Sequence, residues 1–166
     1  MEILRVISRA LAVPVALALG LVAPLVQHQA PNRLASLERE QDPVRRAKLL
    51  AKLGQGEFSE FRRQADAGNY LEALRILEGY RDAVLSTQKG LAATRINAER
   101  NPAGFKELQI SLRGGLRRLS ETLLTLTPDE REPFDAIRKQ LERIDKELIH
   151  ELFPRQSEAA PGKEKP

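Results

Sequence analysis

The chain is predicted to fold as an all-α domain, a small antiparallel bundle of about four helices. Three observations carry that expectation. Apolar residues after position 42 recur at steps of three and four, the spacing of one helix face. No segment alternates polar and apolar with period two over four or more residues, and no Asn-Gly or Asp-Gly hairpin signal occurs. The breaks between stripes carry helix-start and helix-stop chemistry rather than strand turns.

The N-terminal 30 residues stand apart. Arg5 and Arg9 precede seventeen residues, Ala10 to Val26, without a charged or polar side chain. A basic stretch followed by an apolar run is the pattern of a secretory signal. Seventeen residues also lie at the lower limit for a membrane-spanning helix, about 17 to 25. Ala18-Leu19-Gly20 fits the small-residue rule for cleavage, while Pro24 and Pro31 spoil the sites after Ala23 and Ala30. A cleaved signal and an uncleaved anchor through residues 6–26 therefore both stay open. Either way, the leading positive charge leaves the remainder outside the cytoplasm, on the periplasmic or extracellular side.

Residues 31–42 read as a linker with some helix from Leu34 to Glu40. Asp42-Pro43 then places a carboxylate cap before a proline at the first helical position, where its missing N–H is no loss. The stripe Val44, Ala47, Leu50, Leu53, Phe58, Phe61 and Ala65 carries a first helix over 43–66, and Ala67-Gly68-Asn69 turns the chain. Tyr70, Leu74, Leu77, Val84 and Leu91 line a second, expected over 69–99. Asn101-Pro102-Ala103-Gly104 is the next break. The stripe from Phe105 to Leu126 gives a third helix over 104–126, and that from Phe134 to Leu152 a fourth over 133–153. Thr127-Pro128-Asp129-Glu130 has the Thr and Glu of a capping box. Pro133 would cost a backbone bond inside a helix, so a short turn is expected at 127–132 with the main helix beginning at Pro133. The bundle spans 43–153. Residues 154–166 contain no apolar side chain larger than alanine and read as a disordered tail.

Composition excludes several functions. There is no cysteine, which removes disulfides, thiolate metal sites and cysteine nucleophiles together. Beyond residue 30 the chain has 25 basic and 22 acidic residues, too even a balance to suggest nucleic acid. His150 is the only histidine in the folded part, and a cation is favoured near a helix C-terminus without any metal. No catalytic, cofactor-binding or metal-ligating set is assigned, and no cofactor is expected. Gly114-Gly115 interrupts an otherwise good helix, and close packing of two helices is the reading for Gly115 on the apolar stripe. Arg113, Arg117 and Arg118, with Arg45-Arg46 and Arg62-Arg63, read as a solvated face that could also meet an acidic partner or anionic lipid.

The segment Ala65-Asp66-Ala67-Gly68-Asn69-Tyr70-Leu71-Glu72-Ala73-Leu74 resembles the tight turn and second helix of a tetratricopeptide repeat. The match covers about 13 residues. Phe61 and Gln64 stand where the first half of the repeat has its glycine and aromatic, and a second copy would put Pro102 where Gly68 stands. The resemblance thus implies one such hairpin, not an array. The whole layout also resembles uncharacterised exported bacterial helical proteins with a signal, one such hairpin and a charged bundle, a resemblance that carries no activity.

Two function classes follow. The favoured one is a non-enzymatic interaction or structural module, presenting a hairpin surface to a protein partner or a second copy. The alternative is a small-ligand sensor-like bundle or an enzyme, which needs convergent polar groups on the core stripes. Only Gln88 and Arg95 raise that question. The expected contact residues are Gly68, Asn69 and Tyr80, the last read as partly exposed beside Gly79.

Overall fold

The computed structural model describes residues 34–154, so the signal or anchor reading, residues 1–33 and the tail from 155 on lie outside the described residues. Five helices are present: α1 (Ala35–Arg39), α2 (Pro43–Asp66), α3 (Tyr70–Ala93), α4 (Phe105–Leu123) and α5 (Pro128–Leu152). The short α1 falls within the expected linker, yet its Leu37 is 1% exposed and belongs to the core. That stretch is therefore packed against the bundle rather than spanning free.

α2 begins as the cap chemistry predicts. Asp42 accepts the Arg45 N–H at 2.7 Å, and Pro43 occupies the first turn. α3 stops at Ala93, six residues before the expected end. Thr94 Oγ1 donates to the Leu91 carbonyl at 2.6 Å, Asn97 Oδ1 accepts the Arg100 N–H at 3.0 Å, and Arg95 takes a left-handed φ of 56°. Short polar side chains here compete with the helix for backbone groups. α5 corrects the expectation at Pro133, since the helix runs unbroken from Pro128 with that proline inside it. One intrahelical bond, to the Asp129 carbonyl, is forgone. Asp129 and Pro133 are both exposed, so the loss falls on the solvent side of the helix, where it costs least.

The helices form two antiparallel hairpins, α2–α3 and α4–α5, which stack in the same sense. α2 packs on both α3 and α4, and α5 on both α4 and α3, while α3 and α4 touch least among these pairs. Tyr70 and Glu130, then Gln88 and Glu147, meet across α3 and α5 at sequence separations of 60 and 59. The near-constant offset makes α3 and α5 parallel. Gly54 lies near Ser111 and Gly115 against Phe58, which makes α2 and α4 parallel as well. The result is two layers, α2 beside α4 and α3 beside α5. It differs from a bundle in which each helix neighbours the next in sequence, because residues 94–104 carry the chain across to the far flank of α2. Gly104, with φ 86°, makes that crossing: a Cβ there would lie 2.6 Å from Leu91 Cδ2.

The core fills the space between the layers. Phe58 meets Tyr80 edge-on at 4.7 Å between ring centroids, and Phe61 meets Phe134 at 5.6 Å. Both pairs join α2 to the opposite layer.

Candidate functional site

The three residues singled out in the sequence do not form one surface. Gly68 (φ 74°) and Asn69 are exposed at the α2–α3 turn. There the Asn69 N–H donates to the Gln64 carbonyl and Asn69 Nδ2 donates to Gln64 Oε1, both at 2.9 Å. Those bonds close the end of α2, so both residues have a structural task. Tyr80 lies eleven residues further along, about 16 Å at 1.5 Å per residue, and is 1% exposed. It is core, not a partly exposed contact. The true inward stripe of α3 is Ala73, Leu77, Tyr80, Val84, Thr87 and Leu91, rotated slightly from the line through Leu74. Tyr80 continues that stripe at steps of three and four.

From α3, the Tyr80 ring reaches between α2 and α4. A Cβ on Gly54 would meet its Cε2 at 3.0 Å, its Oη at 3.7 Å and Ser111 Oγ at 3.6 Å. The hydroxyl thus ends buried between Gly54 and Ser111, close enough to feel the Ser111 hydroxyl but without a well-formed hydrogen bond to it. Burial pushes the phenol up to about 12, and the Ser111 hydroxyl and Arg118 charge pull the other way without reversing it.

Outside this point, α2 and α4 leave a groove of about 420 Å³ lined by Ala51, Gly54, Gln55 and Phe58 on one side and Glu107, Ile110, Ser111, Gly114, Gly115 and Arg118 on the other. The adjacent glycines differ. A Cβ on Gly115 would sit 2.6 Å from Phe58 Cζ and closer still to Cε2, so its absence lets α2 and α4 approach, as the stripe predicts. A Cβ on Gly114 would meet nothing within 4 Å and would project into open space. Ile110, one turn before Gly114, is 58% exposed at the lip.

The charges divide between the layers. α2 and α4 carry ten Lys and Arg against five Asp and Glu, a surplus of five positive charges. α3 and α5 carry eight against eleven, a surplus of three negative charges. This segregation is hidden in the even balance of the whole chain.

Buried polar side chains elsewhere are taken up by the fold, Arg46 Nε excepted. Thr87 Oγ1 donates to the Ala83 carbonyl at 2.7 Å, Thr122 Oγ1 to that of Arg118 at 3.1 Å, and Gln109 Nε2 to Asp145 Oδ1 at 3.0 Å. Gln109 and Thr122 are polar members of the α4 inward face that the apolar stripe did not announce. Of the two doubtful residues, Gln88 donates to Glu147 at 2.9 Å and Arg95 is exposed in the loop. Glu130 gathers the Thr127 N–H, the Thr127 hydroxyl and the Tyr70 hydroxyl at 2.7–2.9 Å, and these bonds, that of the Thr127 backbone first, hold its carboxyl below the ordinary value. A smaller hollow of about 280 Å³ lies at the opposite end, near Ile96, Phe105 and Glu151. Burial, then the neighbouring Glu147 charge, raises the Glu151 carboxyl. Among the described residues no group of three or more acidic or histidine side chains could hold a metal ion, and no helix is long and apolar enough to cross a membrane.

No protein-family model, curated protein or solved structure matches the chain.

Proposed function

We propose that the chain is a non-enzymatic interaction module, delivered across the cytoplasmic membrane by its N-terminal segment, that binds a protein partner through the outer face of α2 and α4. The observation that carries this reading is the open groove with Ile110 exposed at its lip and Gly114 in its wall. A mid-helix glycine costs roughly 1 kcal/mol relative to alanine, and packing within the domain gives Gly114 no return for that cost. Close approach of something outside the domain does. Two stacked hairpins with their first helices side by side also support a hairpin-repeat type of scaffold, in keeping with the resemblance at residues 65–77.

The contact moves from the Gly68, Asn69 and Tyr80 set to this groove, because the first two close a helix and the third is core. A small ligand would lie half in water in such an open trough, whereas a protein segment covers it. If the N-terminal segment is retained, residues 6–26 hold the module at the membrane surface.

The test is site-specific photocrosslinking in the producing cells, with the probe at Ile110, at Leu124 beside the α4–α5 turn, or at Lys139 on α5. A discrete adduct from Ile110 is expected, and no adduct from any position would contradict the interaction reading. Fractionation with intact-mass measurement of the product tests export and cleavage together; a soluble cytoplasmic product starting at Met1 would overturn the localisation.

A further inference from the structure

We infer that the α2–α4 groove receives an acidic amphipathic α-helix from the partner protein. This rests on the interaction reading above and names the occupant of the same site.

The occupant is a helix for geometric reasons. An extended segment gains affinity by pairing its backbone with a sheet edge, and two helices with saturated backbone bonds offer none. What α2 and α4 offer is rows of side chains at steps of three and four, with a trough between them. A third helix fits its own ridge into that trough. Gly54 and Gly114 lower the walls at mid-length, and Ile110 supplies the apolar ridge for the partner to cover. The stretch from Lys48 to Arg62 that flanks the trough is about 20 Å long at 1.5 Å per residue, the length of four helical turns.

The occupant is acidic for electrostatic reasons. Lys48, Gln55 and Arg62 are spaced by seven along α2, so the two cations lie on the helix face of groove-lining Gln55, one beyond each end of the lining, as Glu121 does for Gly114 on α4. On α4 the rim holds Arg118, with Arg117 one residue before. Arg62 and Arg117 make only exposed pairs, with Asp66 at 3.5 Å and Glu121 at 3.6 Å, which a partner carboxylate can displace. Lys48 and Arg118 form no ion pair among the described residues. Glu107, the groove's own acid, keeps its charge while accepting the Gly104 N–H at 2.7 Å, and it stands eleven residues from Arg118, so the cationic end of the groove is that of Arg118 and Arg62.

The probe is a fluorescent 18-residue helical peptide with leucine and alanine on one face and glutamate on the other, titrated against the full chain in mild detergent, with a lysine-for-glutamate peptide and anionic phospholipid vesicles in parallel. Saturable binding of the glutamate peptide, weakened by salt and absent for the lysine peptide, is expected. Gly114→Leu should fill the trough and weaken binding by more than about tenfold, while the melting temperature holds or rises because position 114 faces open space. Arg118→Glu should weaken binding and Arg118→Lys should keep most of it. Equal binding of both peptides, indifference to Gly114→Leu, or no peptide binding beside Gly114-dependent vesicle binding would each overturn the acidic-helix assignment. Photocrosslinks at Leu124 but not Ile110 would defeat this inference while leaving the interaction reading standing; crosslinks nowhere would remove both.

Discussion

The α2–α4 and α3–α5 layers are built from helices of similar length and share one core, but their polar groups are used differently. On the α3–α5 side five of the eleven acids are employed in ties within the bundle: Glu130 ties the α4–α5 turn to Tyr70, Glu147 accepts from Gln88, Asp145 accepts from Gln109 on α4, and Arg138 spans Asp135 and Glu142 at 3.0 Å. On the α2–α4 side the surplus is cationic, and Lys48 and Arg118 stand uncommitted beside a trough with one glycine that the fold does not need. One layer reads as internal scaffolding and the other as a face made for something else. Charge totals over the whole chain would not reveal the difference.

The sharpest way to break that comparison is at the adjacent glycines. Gly115→Ala forces a methyl into Phe58 and should destabilise by about 1–3 kcal/mol, as overpacked cores do. Gly114→Ala should instead stabilise by roughly 1 kcal/mol, the helix-propensity gain at a site with open space. Urea unfolding of the pair checks both signs; a matching loss for the two would mean that position 114 is packed after all.

Tyr80→Phe comes next. Removing a buried hydroxyl that lacks a partner should cost nothing and gain on the order of 1 kcal/mol. The phenol's raised value means that the fold favours its neutral form. That contribution is whole below the ordinary tyrosine value of 10 and is lost as pH climbs through 10 toward about 12. Melting curves above pH 10 should therefore fall less steeply in the variant. A residual slope remains from Tyr70, which its bond to Glu130 also raises. Identical alkaline slopes in both proteins would place the Tyr80 ring in water.

The smallest effect is expected at Glu130→Gln. Its lowered carboxyl contributes stability that is whole above the ordinary value of 4.5 and is lost as pH falls from there through the lower value it has in the fold. The variant should melt slightly lower at pH 7 and approach the parent at acid pH, a convergence visible in a pH series of melting temperatures. A constant gap across that series would separate Glu130 from the acid response.

Much of this architecture was legible in the residues. Asp42-Pro43 and Gly68-Asn69 bracket α2 because cap and turn chemistry are local, and Gly115 lay on the stripe where close packing was expected. Where the sequence misled, several forces competed. Thr94 and Asn97 ended α3 by bonding to the backbone, against an apolar rhythm that continued to Ala98. Pro133 stands inside α5 on its exposed side, where a forgone backbone bond costs least. Tyr80 falls beside a stripe drawn from Tyr70 through Leu74 and joins it once the line starts from Ala73 and runs through Leu77. The groove was invisible because it lies between helices joined by no direct connection, and periodicity along one helix carries no information about which other helix lies beside it.

The measurement that bears most directly on the division between the layers is a backbone amide NMR titration of the full chain with the glutamate peptide. Shifts confined to α2 and α4, strongest from Ala51 to Arg62 and from Glu107 to Arg118, are the predicted result. Shifts centred on α3 and α5, or no shifts at saturating peptide, would contradict the assignment of the cationic layer as the binding face.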